Sequence, residues 1–204
     1  NYSGYRRGAN IELRKTIPSG GGLGGGSSNA ATTLIALDQL WQLGTGIPGL
    51  SRIGASLGAD IPVFVEGHSA WAEGTGSKLQ PVPVPARWYL VIKPPCTVST
   101  GQIFSRQELT RNTSPIKIAA FFEQGGKNDC EPVVTRLYPE VREALEWLQE
   151  YAPAQLTGTG ACLFAAFSER REAEALHRQL PDKLEGFVAR GVDTSPLHEQ
   201  LGLS

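Results

Sequence analysis

Between residues 20 and 26 the chain sets six glycines around a single side chain, Leu23. That run constrains the fold more than any other stretch. The residues before it, 9–15, carry the pattern of a strand. Those after it place Ala30, Leu34, Leu37 and Trp41 on one face at helical spacing. Strand, glycine loop and helix start, in that order, build an anion site. Glycine lets the backbone approach an anion closely and take positive φ without a Cβ penalty. Successive N–H groups then line a concave nest, and the first free amides of the helix present the favourable end of its dipole. Ser27, Ser28 and Asn29 add hydroxyl and amide groups suited to capping the helix or to touching phosphate or magnesium.

Three simpler accounts of the loop fit less well. A flexible glycine-serine linker rarely lies between a strand pattern and a helix pattern. A Walker loop needs a lysine where Gly26 stands, although Gly20 and Gly25 have the right spacing. The dinucleotide fingerprint is formally met by Gly20, Gly22 and Gly25. Its acidic partner would then be Asp38, which falls inside the helical run and not at the end of a second strand.

Asp60 is a candidate general base. A well-placed base contributes about 10²–10⁴-fold to the rate of a reaction. The same residue also reads as the cap of a short helical turn, because Pro62 follows it in a first-turn position. Residue types alone leave both readings open. Gly158-Thr-Gly-Ala161 alone reads as a hairpin turn, Thr100 as a loop threonine and Lys15 as a strand-end charge. In Asn128-Asp-Cys-Glu131, Asp129 reads as a helix N-cap with Glu131 in the first turn.

Taken together, the motifs resemble a known family. Pro18-Ser-Gly-Gly-Gly-Leu-Gly-Gly-Gly-Ser-Ser-Asn-Ala30 is similar to the second motif of the GHMP kinases, the galactose, homoserine, mevalonate and phosphomevalonate kinase superfamily. Leu57-Gly-Ala-Asp-Ile-Pro-Val-Phe64 agrees with it. So do Leu156-Thr-Gly-Thr-Gly-Ala-Cys-Leu-Phe164, which resembles the third motif, and the ending Gly191-Val-Asp-Thr-Ser-Pro-Leu-His198. The run of six glycines around a leucine is nearest to the branch of the family in the non-mevalonate route to isoprenoid precursors.

The resemblance implies a two-domain α+β fold with mostly antiparallel sheets: the remainder of an ATP-binding domain in residues 1–82 and a C-terminal domain in residues 83–204. It implies ATP as phosphate donor, with Mg2+ expected from the chemistry, and transfer to the 2-hydroxyl of 4-(cytidine 5′-diphospho)-2-C-methyl-D-erythritol. Pro18, Ser19, Gly20, Gly21, Gly22, Leu23, Gly24, Gly25, Gly26, Ser27, Ser28 and Asn29 would hold the nucleotide phosphates, and Lys15 would border the base. Asp60 aligns with the family's proposed catalytic base. Thr100, Thr159 and Gly160 match positions near the acceptor. A homoserine- or mevalonate-type kinase would share the loop and differ in its acceptor contacts; a nucleotide-binding module without catalysis would share it too. The family's first motif and the lysine that partners the base lie upstream of anything in these residues, and the sequence contains no methionine. The expectation is therefore a fragment without its beginning, holding nucleotide weakly at most and transferring no phosphate.

Composition excludes several other classes. Nineteen basic and twenty acidic residues give a net charge of −1, and no basic tract points to nucleic acid or to an anionic membrane. No apolar run has the length of a membrane span. Cys96, Cys130 and Cys162 are widely spaced, and His68, His177 and His198 are isolated, so the spacing favours neither zinc nor a disulfide framework. The partner expected is a small-molecule substrate, in a reducing cytoplasm, for a monomer or a homodimer.

The remaining expectations are structural. Helices are predicted over 27–42, closed by Gly44, and over 48–57, closed by Gly58, with further helices over 116–122, 131–137, 140–151 and 169–180. Strands are predicted over 9–15, 69–73, 88–92, 162–167 and 186–189. The proline cluster at 81–85 marks the boundary between halves.

Overall fold

In a computed structural model of the chain, which describes residues 4, 5, 8–76 and 78–203, packing divides the polypeptide into two units. One comprises Asn1–Ser19, Gly24–Pro83 and Asp193–Ser204. The other comprises Gly20–Leu23 and Val84–Val192. The glycine run is thus split after Leu23.

The first unit is built around helix α1 (Gly25–Trp41), whose buried face carries Ala31 and Ile35. It ends one turn before Gly44, because Gln42 takes the left-handed conformation at φ 53° and the amide of Leu43 returns to the carbonyl of Asp38. Asp38 also accepts a hydrogen bond from the amide of Thr45 (3.0 Å), so its carboxylate fixes the turn into α2 (Gly46–Leu57). Helix α2 packs on α3 (Ile61–Glu66) through Gly54, where a Cβ would stand 2.7 Å from Cγ2 of Ile61. The core is small: Ala31, Ile35, Leu50, Ile61 and Val65, with Phe64 and Leu34 packed against it. Strands β1 (Ala70–Glu73) and β2 (Lys78–Pro81) form an antiparallel hairpin.

Residues 9–15 are not a strand. A strand exists through ladder hydrogen bonds to a neighbour, and among the described residues nothing pairs with this segment. Its side chains are exposed, Ile11 at 63% and Leu13 at 53%.

The second unit is a four-stranded antiparallel sheet in the order β4 (Ala154–Leu156), β5 (Leu163–Phe167), β3 (Trp88–Lys93), β6 (Glu185–Arg190). Strand β3 is central, with Val91 opposite Phe164 on one side and Phe187 on the other. Leu90 and Ile92 point into the core with Leu163 and Ala165, under helices α7 (Pro139–Gln149) and α8 (Arg170–His177). Three shorter helices complete the unit: α4 (Thr100–Phe104), α5 (Ile118–Gln124) and α6 (Glu131–Leu137). Two expectations change here. Thr100 opens a helix capped by the Ser99 hydroxyl instead of lying in a loop. Asp129 does not cap α6; the cap position is Cys130, and no side chain fills it.

From Asp193 the chain rejoins the first unit. The amide of Ser69 donates to the carbonyl of Asp193, Thr194 bridges His68, and the amide of Ser195 donates to the carbonyl of Gly67. Helix α9 (Pro196–Leu201) follows, started by Pro196 in its first turn. It buries His198 against Gly67. The fold is therefore α+β with antiparallel sheets.

Candidate active site

Gly20–Leu23 is held in the second unit by the turn that joins β4 to β5, residues 157–162. The amide of Ala161 donates to the carbonyl of Gly20 (3.3 Å) and that of Cys162 to the carbonyl of Gly21 (3.2 Å). The Thr157 hydroxyl, which can donate once, lies 2.5 Å from the same Gly21 carbonyl and 3.0 Å from that of Cys162. Gly22 sits at φ +73° with its Cα turned onto the carbonyl of Thr157, where any Cβ would overlap it. Gly158-Thr-Gly-Ala161 is thus a hairpin turn and at the same time the support of the glycine loop. Sequence reasoning gave Thr157 no role, and no local signal marks it: its partner Gly21 is 136 positions away.

The same turn brings together two residues chosen from the sequence. The hydroxyls of Thr100 and Thr159 are 2.8 Å apart, and Thr159 is largely buried. Gly160, at φ +85°, packs closely on Leu156, where a Cβ would be 3.0 Å from Cδ1. Cys162 is buried behind the turn. Burial, the largest cause, pushes its thiol up from 9.0 to about 11; Lys93 opposes the shift and Cys96 adds to it.

In the first unit the rest of the glycine run starts α1. Gly24 is the N-cap at φ 65°, with no side-chain cap, and a Cβ there would stand 2.9 Å from Cζ of Phe64. Intrahelical bonding begins with the amide of Ser28, which donates to the carbonyl of Gly24 (2.9 Å). The amides of Gly25, Gly26 and Ser27 therefore have no acceptor within the helix, and a Cβ on Gly26 would meet nothing within 4 Å. These amides lead a helix of 17 residues, so its positive end is uncapped and open. Ser27, Ser28 and Asn29 are half-buried in this first turn, and the Asn29 carbonyl accepts from the Thr33 hydroxyl (2.8 Å). Pro18 is half-buried; Ser19 and Lys15 are exposed, Lys15 on the unpaired segment.

Asp60 occupies the N-cap position of α3, but its exposed carboxylate makes no capping hydrogen bond. The helix it precedes presses Phe64 onto Gly24, so α3 and the start of α1 are packed together. A groove of about 360 Å³ along α1, bounded by Ile11, Leu13, Thr33, Leu37 and Leu40, includes only Asn29 of these residues. Among the described residues no group of three or more His, Cys, Asp and Glu is arranged to hold a metal, and no helix is long and apolar enough to cross a membrane.

In the first unit an uncapped helix start follows the glycine run, and a carboxylate free of capping stands at the start of the helix packed against it, an arrangement suited to phosphate; in the second unit a glycine turn supports residues 20–23. Comparison with known proteins agrees. The family model of the GHMP kinases N-terminal domain matches residues 1–68, and that of the GHMP kinases C-terminal region matches residues 107–186. A 4-diphosphocytidyl-2-C-methyl-D-erythritol kinase from Marinobacter nauticus is 52% identical over 197 residues, 95% of this chain and 69% of the relative. The kinase of that name from Chromohalobacter salexigens is 50% identical over 207 residues, 98% of this chain and 70% of the relative. Among solved structures, a 4-(cytidine 5′-diphospho)-2C-methyl-D-erythritol kinase superposes with a TM-score of 0.70 at 30% identity, covering 87% of this chain and 69% of its own. A homoserine kinase from Cytophaga hutchinsonii shares the fold, with a TM-score of 0.61 at 16% identity over 89% of this chain and 69% of its own. The chain belongs to the GHMP kinase family, and so to the ATP-dependent kinases of small molecules.

Proposed function

We propose that this kinase phosphorylates the 2-hydroxyl of 4-(cytidine 5′-diphospho)-2-C-methyl-D-erythritol, in the non-mevalonate route to isoprenoid precursors. The observation that carries the substrate is the 52% identity, across 95% of the chain, to a kinase named for that compound. The uncapped amides of Gly25, Gly26 and Ser27 would take the nucleotide phosphates, and the loop residues 18–24 would shape their approach. The acceptor oxygen attacks the γ-phosphorus, the bond to the β-phosphate oxygen breaks, ADP leaves, and the hydroxyl proton passes to the Asp60 carboxylate. A carboxylate not engaged in capping is free for that proton. We assign Lys15 to the nucleotide base and Thr100, Thr159 and Gly160 to the acceptor, on the family resemblance.

Mg2+, when bound with ATP, neutralises charge on the β- and γ-phosphates. The hydroxyls of Ser27 and Ser28 are the hard oxygen donors that would fit it, few enough for an ion held mainly by phosphate and water. Free thiols at Cys96, Cys130 and Cys162 fit a reducing cytoplasm.

The test is ADP release on adding the acceptor and Mg-ATP. It is run on this chain and on a chimera that takes from the Marinobacter nauticus relative the part of its length this chain does not match. Turnover by the chimera that falls about 10²–10⁴-fold in Asp60→Asn, with ATP still bound, supports the reading. Turnover with homoserine or mevalonate and none with the cytidine diphosphate compound would overturn the acceptor assignment.

A further inference from the structure

Strand β4 is an edge of its sheet, so the backbone groups on its outer side have no ladder partner. At Leu156 side chains from the start of α6 take both of them. The Glu131 carboxylate accepts from the Leu156 amide (3.0 Å). The Asn128 side-chain NH2 donates to the Leu156 carbonyl (3.0 Å) and, with its second hydrogen, to the Gly158 carbonyl (2.7 Å). Its amide oxygen accepts from the Cys130 amide (2.9 Å). Both donors of Asn128 are used, and its oxygen is tied to the backbone that starts α6.

The two carbonyls held by Asn128 are those on either side of Thr157. Thr157 in turn reaches the Gly21 carbonyl with its hydroxyl, and its own carbonyl is packed against Gly22. We propose that Asn128 is a positioning residue for the nucleotide site: it clamps the turn at Leu156 and Gly158 so that Thr157 holds the Gly20–Leu23 segment in register. Its role runs through the turn: all three of its side-chain hydrogen bonds go to backbone. The position requires asparagine, because two carbonyls must be met by two N–H donors on one planar group of that length. Aspartate has the same shape and still accepts from the Cys130 amide, but it sets carboxylate oxygens against two carbonyl oxygens. This inference rests on the reading of residues 20–26 as the phosphate loop.

The first measurement is amide hydrogen exchange by NMR on this chain, without nucleotide. In Asn128→Asp the amides of Ala161 and Cys162, which bind the carbonyls of Gly20 and Gly21, should exchange at least tenfold faster, while those of Leu90 and Ile92 in β3 keep the parent rate. Asn128→Ser, which retains one donor, should fall between. Should Asn128→Asp not fold, Asn128→Ser decides by the same comparison. Parent-like exchange at Ala161 and Cys162 in the folded variants would overturn the proposal.

The second measurement is the dissociation constant for ATP in a double-mutant cycle. Asn128→Asp and Thr157→Val should each weaken ATP binding about tenfold, and the double variant should be no worse than either, because both cut one chain of support. Merely structural damage at two sites would add, and additive losses would overturn the proposal. Faster exchange with unchanged ATP affinity would leave the clamp standing and overturn the phosphate-loop reading instead.

Discussion

The glycine run has two halves that use glycine for opposite reasons. Gly20–Leu23 is crowded at Gly22, which has no room for a side chain, and the carbonyls of Gly20 and Gly21 accept hydrogen bonds from the 157–162 turn. The start of α1 is open at Gly26, which faces free space although Gly24 packs on Phe64 and Gly25 on Ile17, and the amides of Gly25, Gly26 and Ser27 have no acceptor in the helix. In the first half glycine allows protein to pack on protein. At Gly26 it leaves room for something that the protein does not supply. Composition treats all six glycines alike, whereas their surroundings predict different responses to one methyl group.

The largest effect is expected at Gly22. Alanine at φ +73° costs about 1–2 kcal/mol by itself, and its Cβ would overlap the Thr157 carbonyl, which is backbone and cannot swing away. The segment has to leave its support. Gly22→Ala should weaken ATP binding about thirtyfold or more and speed exchange at Ala161 and Cys162. Equilibrium dialysis with labelled ATP, alongside the exchange measurement, checks both. Parent-like values for both would mean that the crowded half is not needed for the site.

Gly26 separates stability from binding. Alanine in place of glycine within a helix stabilises by about 0.5–1 kcal/mol, and nothing stands in the way of the methyl group. Gly26→Ala should therefore raise the melting temperature by about 1–4 °C while reducing ATP affinity about tenfold, because the methyl occupies the face that an anion must approach. A variant that gains stability and loses nucleotide would mark the open half as the cradle. One that gains stability and keeps full ATP affinity would break the comparison.

Much of this arrangement was legible in the sequence. Leu145 and Leu148 at helical spacing gave α7, and the run from Trp88 gave β3 within one residue. The glycine run with Ser27 gave the loop, and a helix start two residues after Gly25, where α1 begins. The failures have physical causes. Ile11 and Leu13 alternate as a strand does, but alternation describes a face and a strand also needs a neighbour. Strand β2 reads Lys-Leu-Gln-Pro, with one half-buried side chain, too little for a pattern. Helix α4 rests on a Ser99 cap and one buried residue, Ile103. Helix α9 carries a signal, Ser195 followed by Pro196, but six residues are too short for a helical period to stand out. The support of Gly21 by Thr157 and of Thr157 by Asn128 is long-range hydrogen bonding, which no local window contains. Residue type chose Asp129 for the cap, whereas geometry gave the bonds to Asn128 beside it.

The smallest expected effect on stability belongs to a residue that holds the crowded half. The Cys162 amide is bonded to the Gly21 carbonyl, and burial pushes the thiol of the same residue up to about 11. Only the thiolate reacts with iodoacetamide. At pH 8 the folded chain should therefore alkylate Cys162 roughly a hundredfold more slowly than the unfolded chain, whose thiol titrates near its ordinary value. The sign of the linked stability follows. Below about pH 9 both states keep the proton and the shift has no effect. Between about 9 and 11 the unfolded state loses the proton while the folded state retains it, so stability falls as pH rises. A slightly lower urea midpoint at pH 10 than at pH 8, smaller still in Cys162→Ala, is the expected result. Gly22→Ala should raise the alkylation rate at pH 8 and Gly26→Ala should not, since only the first disturbs the carbonyl that Cys162 holds. Equal acceleration by both would mean that the two halves of the glycine run open together, and their different surroundings would then carry no separate roles.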